Sequence, residues 1–192
     1  MQAGSTTLRT PMDAAAVTAL RAGDEVLISG VVYTARDAAH KRLCGCIDQG
    51  EPLPVNLCGQ ILYFVGPTPA RPGRISGSAG PTTSSRMDVY SPTLIAHTGL
   101  RAMMGKGDRG PEVVAAMRTH GCVYLAATGG AGALLAQCIR SSEVIAYEEL
   151  GPEAMYRLEV ENFPAIVAID SRGQSLYREA DWRQSRTQDH IG

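Results

Sequence analysis

Segments with helical spacing alternate with segments of strand character along the second half of this chain, and this alternation restricts the folds it can adopt. Such alternation is typical of βαβ units, whose strands run parallel in one sheet. The sequence therefore predicts an α/β fold with a parallel central sheet. The predicted segments are a helix over Val89–His97, a strand over Leu100–Met104, a helix over Gly110–His120, a strand over Cys122–Ala127, a helix over Ala131–Ile139 and strands over Val144–Tyr147 and Ala165–Asp170.

The first half of the chain is richer in strands and turns. Thr10-Pro11 predicts a helix start, because a capping hydroxyl followed by proline favours the first helical turn. Gly30 lies within a run of β-branched residues and indicates a bulge or a close neighbour. The predicted elements are a helix over Asp13–Arg21, a strand over Asp24–Ala35, a short helix over Arg36–Leu43, a strand over Gln60–Val65 and a short strand over Ile75–Ala79.

The composition, with 44% hydrophobic and 19% charged residues, is that of a globular protein, and the length favours a single domain over residues 1–192. Arg172-Gly173 predicts a turn that returns the chain over Ser175–Tyr177. The polar stretch Asp181–Gly192 predicts a partly disordered tail.

Charge and hydropathy exclude several classes of protein. The net charge of −1 argues against a basic face for nucleic acid. No apolar run approaches the roughly 20 residues that a membrane span requires. Met1–Arg9 is polar and lacks the apolar stretch of a signal peptide. We therefore expect a cytoplasmic location.

The chain has five cysteines, and an odd number in an apparently cytosolic protein argues against a disulfide framework. Cys44 and Cys46 form the one close pair, whereas metal and redox sites usually show Cys-x-x-Cys. Structural thiols are the favoured interpretation. A redox or metal site at Cys44 and Cys46 is the alternative, and it predicts stoichiometric metal on the purified chain.

Gly80–Asp88 reads Gly-Pro-Thr-Thr-Ser-Ser-Arg-Met-Asp and suggests a binding site most strongly. Gly-Pro breaks regular structure, so the four consecutive hydroxyls are expected on a loop. Short hydroxyl side chains and free backbone N–H groups on such a loop can surround a small anion. Arg86, at the end of the run, can bind a carboxylate or phosphate through two parallel hydrogen bonds. The segment predicts an anion pocket with a hydroxyl that could also handle a proton.

Two further segments at predicted strand ends carry candidate cations. Lys106 opens a glycine-containing loop that allows close backbone approach to a ligand, with a simple charged turn as the equally open alternative. Arg36 is a second candidate for binding an anion. In open α/β sheets, ligands bind at the carboxyl ends of strands. His40 is either an acid–base group or a hydrogen-bonded structural residue, and the structural role is favoured.

Thr128–Gly132 joins a strand to a helix and could cradle a phosphate. The segment lacks both the G-x-G-x-x-G spacing and a following lysine. A tight turn with close helix packing is therefore the favoured interpretation.

Together and in this order, these segments resemble the β subunit of the two-subunit, iron–sulfur class I fumarases. The same module forms the C-terminal domain of single-chain class I fumarases, and the β subunit of L(+)-tartrate dehydratase is a close relative. The resemblance covers the chain from about Thr10 to Tyr177. The matching stretches are Ala35–Arg42, Gly66–Pro69, Gly80–Asp88, Gly105–Gly107, Ala146–Ala154 and Phe163–Val167.

The resemblance implies a swivelling β/β/α fold, with a parallel central sheet and a smaller, mostly antiparallel layer of strands. It implies reversible addition of water across fumarate to give L-malate. Family members bind a [4Fe–4S] cluster whose open iron acts as a Lewis acid, and the cluster cysteines belong to the partner α subunit or N-terminal domain. We therefore expect no metal ligand in this chain. We expect a fumarase α subunit as partner, in a heterodimer or heterotetramer, and no activity without it.

Carried over by position, the resemblance implies that Thr82 is the catalytic base. It also implies that the substrate carboxylates are held by Arg36, Thr83, Arg86 and Lys106. Three cations suit a small dianion, because charge-assisted hydrogen bonds contribute about 1.5–3 kcal/mol each.

Three points stay open at this stage. Ser85 stands where glycine is usual in fumarases, which affects the fine geometry of the loop. A threonine hydroxyl acts as a base only when it is desolvated and coupled to another proton carrier. That carrier is expected to be an acid of the partner, with His40 and Asp88 as weaker local options. L-tartrate or a methyl-substituted fumarate (mesaconate) are alternative substrates.

A non-catalytic module that binds dicarboxylate or phosphate is the alternative from another functional class. A permanent partner surface should be large and apolar, so isolated chains could also pair with themselves.

Overall fold

The computed structural model describes residues 5–68, 77–127 and 132–177. Within these ranges the strands are β1 (Thr6–Arg9), β2 (Glu25–Thr34), β3 (Ile61–Tyr63), β4 (Ala102–Gly105), β5 (Val123–Ala127), β6 (Ile139–Ala146) and β7 (Met155–Ile169). The α-helices are α1 (Ala14–Ala19), α2 (Asp37–Gln49), α3 (Ser91–Thr98), α4 (Pro111–His120) and α5 (Gly132–Gln137). The 3₁₀ turns are Ser84–Met87 and Glu148–Glu153.

The strands form one mixed sheet in the order β1-β2-β3-β4-β5-β7-β6. The first five strands of this order run parallel to their neighbours. Helices α3 and α4 connect β3 to β4 and β4 to β5. The alternation of strands and helices therefore predicted the parallel strands β4 and β5 correctly, and the α/β class is confirmed. Strand β1 was not predicted, and the last two strands of the predicted alternation, β6 and β7, pair antiparallel.

Strand β7 supplies the antiparallel part of the fold. Its 15 residues pair antiparallel with β2, β5 and β6. Because β2 also pairs with β3, the strands β2, β3, β4, β5 and β7 close into a ring among the described residues. This arrangement confirms the predicted combination of parallel strands with a smaller antiparallel layer.

The central parallel strands β3, β4 and β5 are buried on both faces. Along β3, Ile61 and Tyr63 point into a core shared with the antiparallel strands, whereas Leu62 and Phe64 point into a core shared with α2, α3 and α4. Such alternation is what a central sheet between two layers requires. The order of layers is therefore antiparallel strands, parallel strands and helices.

The sequence predicted β7 far too short, at Ala165–Asp170. Its first half carries exposed charges, as at Glu159 and Glu161, between buried residues such as Leu158 and Val160. One face of this half contacts water, so it lacks the continuous apolar run from which the later strand was predicted. Strand β6 likewise begins at Ile139 rather than at Val144.

Helix boundaries also differ from the sequence-based expectation. The N-cap of α1 is Asp13, whose carboxylate accepts a hydrogen bond from the N–H of Ala16 at 2.7 Å, so Thr10 is not the cap. Helix α2 continues past the predicted end to Gln49, where Gly50 adopts a left-handed conformation. Among the described helices, none is long and apolar enough to cross a membrane.

Some predicted segments lie partly or wholly outside the described residues. Of the strand predicted over Ile75–Ala79, residues 77–79 are described and are not in a strand. The predicted partner Ser175–Tyr177 is reduced to a single bridge from Ser175 to Ile169. The glycine-rich turn at residues 128–131 and the tail at 181–192 lie outside the described ranges.

Gly30 marks a shift in the register between β2 and β7, as predicted. Its φ of +112° is one that L residues rarely adopt, and an added Cβ would lie 2.6 Å from the Thr10 hydroxyl oxygen. We expect Gly30→Ala to lower the free energy of unfolding by about 1–3 kcal/mol. Gly45, in the middle of α2 with nothing within 4 Å of an added Cβ, is the matched control.

Gly45→Ala is expected to raise the free energy of unfolding by about 0.5–1 kcal/mol, because alanine loses less backbone entropy in a helix. Urea unfolding of both variants and the parent chain measures the two effects. Equal or greater stability of Gly30→Ala would contradict the strain inferred at this position.

Candidate active site

The carboxyl ends of three neighbouring parallel strands meet at one edge of the sheet. Arg36 lies just after β2, and Lys106 directly follows β4. Strand β3 lies between them and is followed by Phe64 and Gly66. Ligands of open α/β sheets bind at this kind of edge.

The hydroxyl loop, defined here as residues 80–86, is held at the end of β3 and β4. Thr82 donates both its N–H (2.8 Å) and its hydroxyl (2.9 Å) to the carbonyl of Phe64. Thr83 pairs with Lys106 in an isolated parallel bridge. The structure therefore brings Thr82, Thr83 and Lys106 to the same place.

Ser84 connects the hydroxyl loop to the segment after β4. Its N–H donates to the carbonyl of Lys106 at 3.0 Å, and its hydroxyl oxygen accepts from the N–H of Lys106 at 3.1 Å. The same hydroxyl forms a buried hydrogen bond with the Tyr124 hydroxyl at 2.8 Å. A Cβ added at Gly105 would overlap the Ser84 hydroxyl oxygen, so glycine leaves the space that this connection needs.

Arg36 is oriented by an acid from a distant part of the chain. Its Nη2 lies 3.3 Å from Oε1 of Glu153, while Oε2 of that carboxylate accepts the N–H of Ala38 at 3.1 Å. A Cβ added at Gly66 would lie 2.6 Å from the carbonyl oxygen of Pro152 and 3.1 Å from Cδ of Arg36. The Ala146–Ala154 stretch and the glycine of Gly66–Pro69 therefore fix the direction of this side chain.

Arg86 reaches the same helix end from the hydroxyl loop. Its Nη2 lies 3.2 Å from Oδ2 of Asp37, the first residue of α2. Two arginines thus lie at the N-terminal end of a helix, where the macrodipole already favours anions. Lys106 adds a third cation to this edge against the two carboxylates of Asp37 and Glu153, so these five side chains carry a positive excess suited to an anionic ligand.

Comparison with known proteins identifies the family. The sequence model described as Fumarase C-terminus matches residues 2–180. The chain belongs to the Fumarase C-terminus family.

Relatives of this family have two lengths. "Fumarate hydratase class I, aerobic" of Escherichia coli (strain K12) is 40% identical over 158 residues, 82% of this chain and 29% of the relative. "Fumarate hydratase 2" of Leishmania major is 39% identical over 156 residues, 81% of this chain and 28% of the relative. "Putative L(+)-tartrate dehydratase subunit beta" of Methanocaldococcus jannaschii is 42% identical over 167 residues, 84% of this chain and 86% of the relative. The chain thus spans under a third of these two fumarate hydratases but most of the tartrate dehydratase subunit.

In this Fumarase C-terminus chain, His40 is placed as a structural residue. Its ring is fully buried 5.0 Å from the Phe64 ring, and Nδ1 donates to the carbonyl of Arg36 at 2.9 Å. Burial lowers the pKa of His40 from 6.5 to about 4, because desolvation disfavours the charged imidazolium. Neither His40 nor Asp88 forms a hydrogen bond with Thr82 among the described residues.

Both carboxylate oxygens of Asp88 accept hydrogen bonds from other groups. One carboxylate oxygen accepts Nε of Arg109 at 2.6 Å, and the other accepts the N–H of Gly110 at 2.7 Å. Asp88 is therefore committed to structural contacts, whereas His40 uses only Nδ1 in such a contact, because its buried Nε2 has no hydrogen-bond partner among the described residues.

The cysteines of this chain do not fit an iron–sulfur cluster. Cys44 contacts the carbonyl of Tyr90, whereas Cys46 lies 4.0 Å from the Tyr147 hydroxyl, and both Cys46 and Tyr147 line an open groove of about 540 Å³. Burial raises the pKa of Cys44 to about 11 and that of Cys122 to about 12, which disfavours the thiolate that binds metal. Within the described ranges, no three His, Cys, Asp or Glu side chains converge as metal ligands.

Sequence reasoning missed the residues that orient the predicted ones. These are Asp37 and Glu153, which pair with the arginines, Ser84, which holds Lys106, and Arg109, which lies buried behind the loop. Asp37, Ser84 and Glu153 lie inside stretches that the sequence had already singled out, and Arg109 follows Lys106 by three positions. Their partners are distant in the chain, so spacing alone gave no sign of their roles.

The pKa of His40 makes a prediction about stability. The unfolded chain binds a proton at its ordinary pKa near 6.5, whereas the folded chain resists protonation down to about 4. Stability is therefore lost as the pH falls from 6.5 towards 4, by about 2 kcal/mol between pH 7 and pH 5. His40→Asn, which offers an amide donor but does not titrate, should lose correspondingly less. Urea unfolding of both proteins at the two pH values measures the difference, and equal losses would contradict the assignment.

Proposed function

We propose that this chain is the β subunit of a hydro-lyase that adds water reversibly across fumarate to give L-malate. The observation that carries the proposal is the placement of Arg36, Arg86 and Lys106 around the hydroxyl loop at one edge of the sheet. Fumarate has a carboxylate at each end, so a site for it needs cations on two sides. The family membership and the relatives named fumarate hydratase support this choice.

A partner subunit is the second part of the proposal. Arg86 is half exposed and Lys106 is exposed in the chain by itself, whereas hydration chemistry benefits from a site closed to bulk water. The match to most of a protein named as a β subunit supports an α partner, in a heterodimer or heterotetramer. We assign the [4Fe–4S] cluster to that α subunit, because the thiols of this chain diverge.

Thr82 is proposed as the catalytic base, with Arg36, Thr83, Arg86 and Lys106 holding the carboxylates. The Thr82 hydroxyl donates to the carbonyl of Phe64, so its lone pairs are free to accept a hydrogen bond from the substrate. A backbone carbonyl is too weak a base to take the hydroxyl proton itself. The base role therefore requires a further acceptor, and we assign it to the partner subunit.

Reconstitution tests the activity. We expect no hydration of fumarate by this chain alone, and oxygen-sensitive hydration when an α subunit and its cluster are supplied anaerobically. Assays with fumarate, mesaconate and L-tartrate should show the highest kcat/KM for fumarate. Each substrate differs by small groups at C2 and C3, so pocket shape decides among them.

The contrary outcomes separate the alternatives. Full aerobic activity of the isolated chain would remove the need for a partner. Preference for L-tartrate or mesaconate would keep the hydro-lyase assignment and change the substrate. Binding of fumarate without turnover in the complete complex would favour the non-catalytic module that binds dicarboxylate or phosphate.

Substitution of Thr82 tests its role in the complex. We expect Thr82→Ala to lower kcat by about 10²–10⁴-fold, as loss of a general base does, with little change in melting temperature. Thr82→Ser is the matched control, since it keeps the hydroxyl and should retain most of the activity. Turnover at the parent rate by Thr82→Ala would remove this residue as the base.

A further inference from the structure

Arg109 is a buried cation directly behind the candidate site. The residue is only 4% exposed. Its guanidinium donates to Oδ1 of Asp88 at 2.6 Å and to the hydroxyl of Ser91 at 2.6 Å, and Nη1 lies 3.3 Å from Sδ of Met103. A buried charge of this kind is expensive unless its donors are satisfied, and here they are satisfied by residues of three different segments.

The Asp88–Arg109 pair joins the two segments that carry most of the site. Asp88 ends the 3₁₀ turn Ser84–Met87, which includes Arg86, and Arg109 follows Lys106 by three positions. The second oxygen of Asp88 accepts the N–H of Gly110 at 2.7 Å. One carboxylate thus fixes the far ends of both segments, while the bonds of Ser84 to Lys106 fix their near ends.

The guanidinium also contacts the residues that hold the hydroxyl loop. Its carbon lies 5.2 Å from the centre of the Phe64 ring and 5.1 Å from that of Tyr124. Phe64 is the residue whose carbonyl binds Thr82, and Tyr124 is the residue whose hydroxyl binds Ser84. A shift of the Arg109 side chain would therefore displace Thr82 through Phe64, and Lys106 through Tyr124 and Ser84.

We propose that Arg109 is a positioning residue for the hydro-lyase site: paired with Asp88, it fixes the hydroxyl loop relative to Lys106. A buried ion pair is a poor source of stability compared with well-packed apolar residues, so geometry is the better reason for its presence. The inference rests on the proposed function for its kinetic part only. The order it imposes on the loop is a property of the chain itself.

The experiment compares Arg109→Lys, Arg109→Met and Asp88→Asn with the parent chain. Arg140→Met is the matched control, because the Arg140–Glu161 pair is similarly short, at 2.8 Å, but more than half exposed and outside the site. In the α–β complex we expect the three test variants to lower kcat about 10- to 100-fold, as small displacements of reacting groups do, and the control to leave kcat unchanged.

Hydrogen exchange of the full chain supplies a readout that does not depend on activity. The N–H groups of Thr82, Ser84 and Lys106 should exchange about tenfold faster in the test variants, by the same loss of local order. The N–H of Val167, which bonds to Asp24 across the sheet, should keep its rate. Ser91→Ala removes one hydrogen bond between a neutral side chain and Arg109, and it is the substitute variant if the charged ones fail to fold. It should accelerate hydrogen exchange at the same three N–H groups to a smaller extent.

Parent rates of exchange at the loop in Arg109→Lys and Asp88→Asn would overturn the proposal. So would an increase of equal size at Val167, which would reveal a purely global loss of stability. If Arg109→Lys and Asp88→Asn fail to fold, parent exchange at the loop in Ser91→Ala would overturn it. If the parent complex neither hydrates fumarate or mesaconate nor dehydrates L-tartrate, the proposed function fails, and exchange alone decides the role of Arg109.

Discussion

The pairing of β2 on both of its edges is the constraint on which the rest of the structure depends. One edge runs parallel to β3, with Thr34 opposite Tyr63, and the other runs antiparallel to β7. The first pairing places the end of β2 beside the end of β3, so Arg36 lies against Gly66. The second pairing closes the ring of strands and covers the inner face of the parallel strands. The candidate binding edge and a complete core therefore come from the same strand.

Phe64 connects the sheet to the candidate site. Its N–H donates to Met104 on β4, and its carbonyl receives both donors of Thr82. Its ring packs edge-on to His40 at 5.0 Å and beneath Arg109 at 5.2 Å. The main chain of one residue thus continues the sheet and carries the candidate base, while its side chain contacts a neutral buried histidine and a charged buried arginine. The Lys106 segment and the hydroxyl loop are consequently parts of one packed unit rather than independent loops.

The sequence predicted the parts of this molecule that depend on local pattern. Alternation of helix and strand gave β4 and β5, a run of apolar residues gave β3, and the Gly-Pro and hydroxyl pattern gave the loop. Strand β7 was missed over most of its length because half of it is solvated on one face, as Glu159 and Glu161 show. Glu153 and Arg109 were missed for a different reason, because each acquires its role from a partner more than twenty residues away. Glu153 pairs with Arg36, 117 positions earlier in the chain (153 − 36), and Arg109 pairs with Asp88, 21 positions earlier (109 − 88). Pairing across such distances depends on the topology of the fold, which the periodicity of the sequence does not reveal.

The charges at the edge show why the chain is better suited to half of a site than to a whole one. Asp37 and Glu153 each pair with one arginine of the candidate site, which orients the guanidinium while consuming only part of its five donors. A dianion can therefore bind without displacing either acid, because donors remain on both arginines and Lys106 makes no ion pair among the described residues. Yet neither Asp88, which binds Arg109 and Gly110, nor His40, which binds the carbonyl of Arg36, forms a hydrogen bond with Thr82 among the described residues. Binding groups without an acceptor bonded to Thr82 are what one partner of the proposed shared active site would supply, and the proposal places the acceptor on the partner surface that would cover this edge.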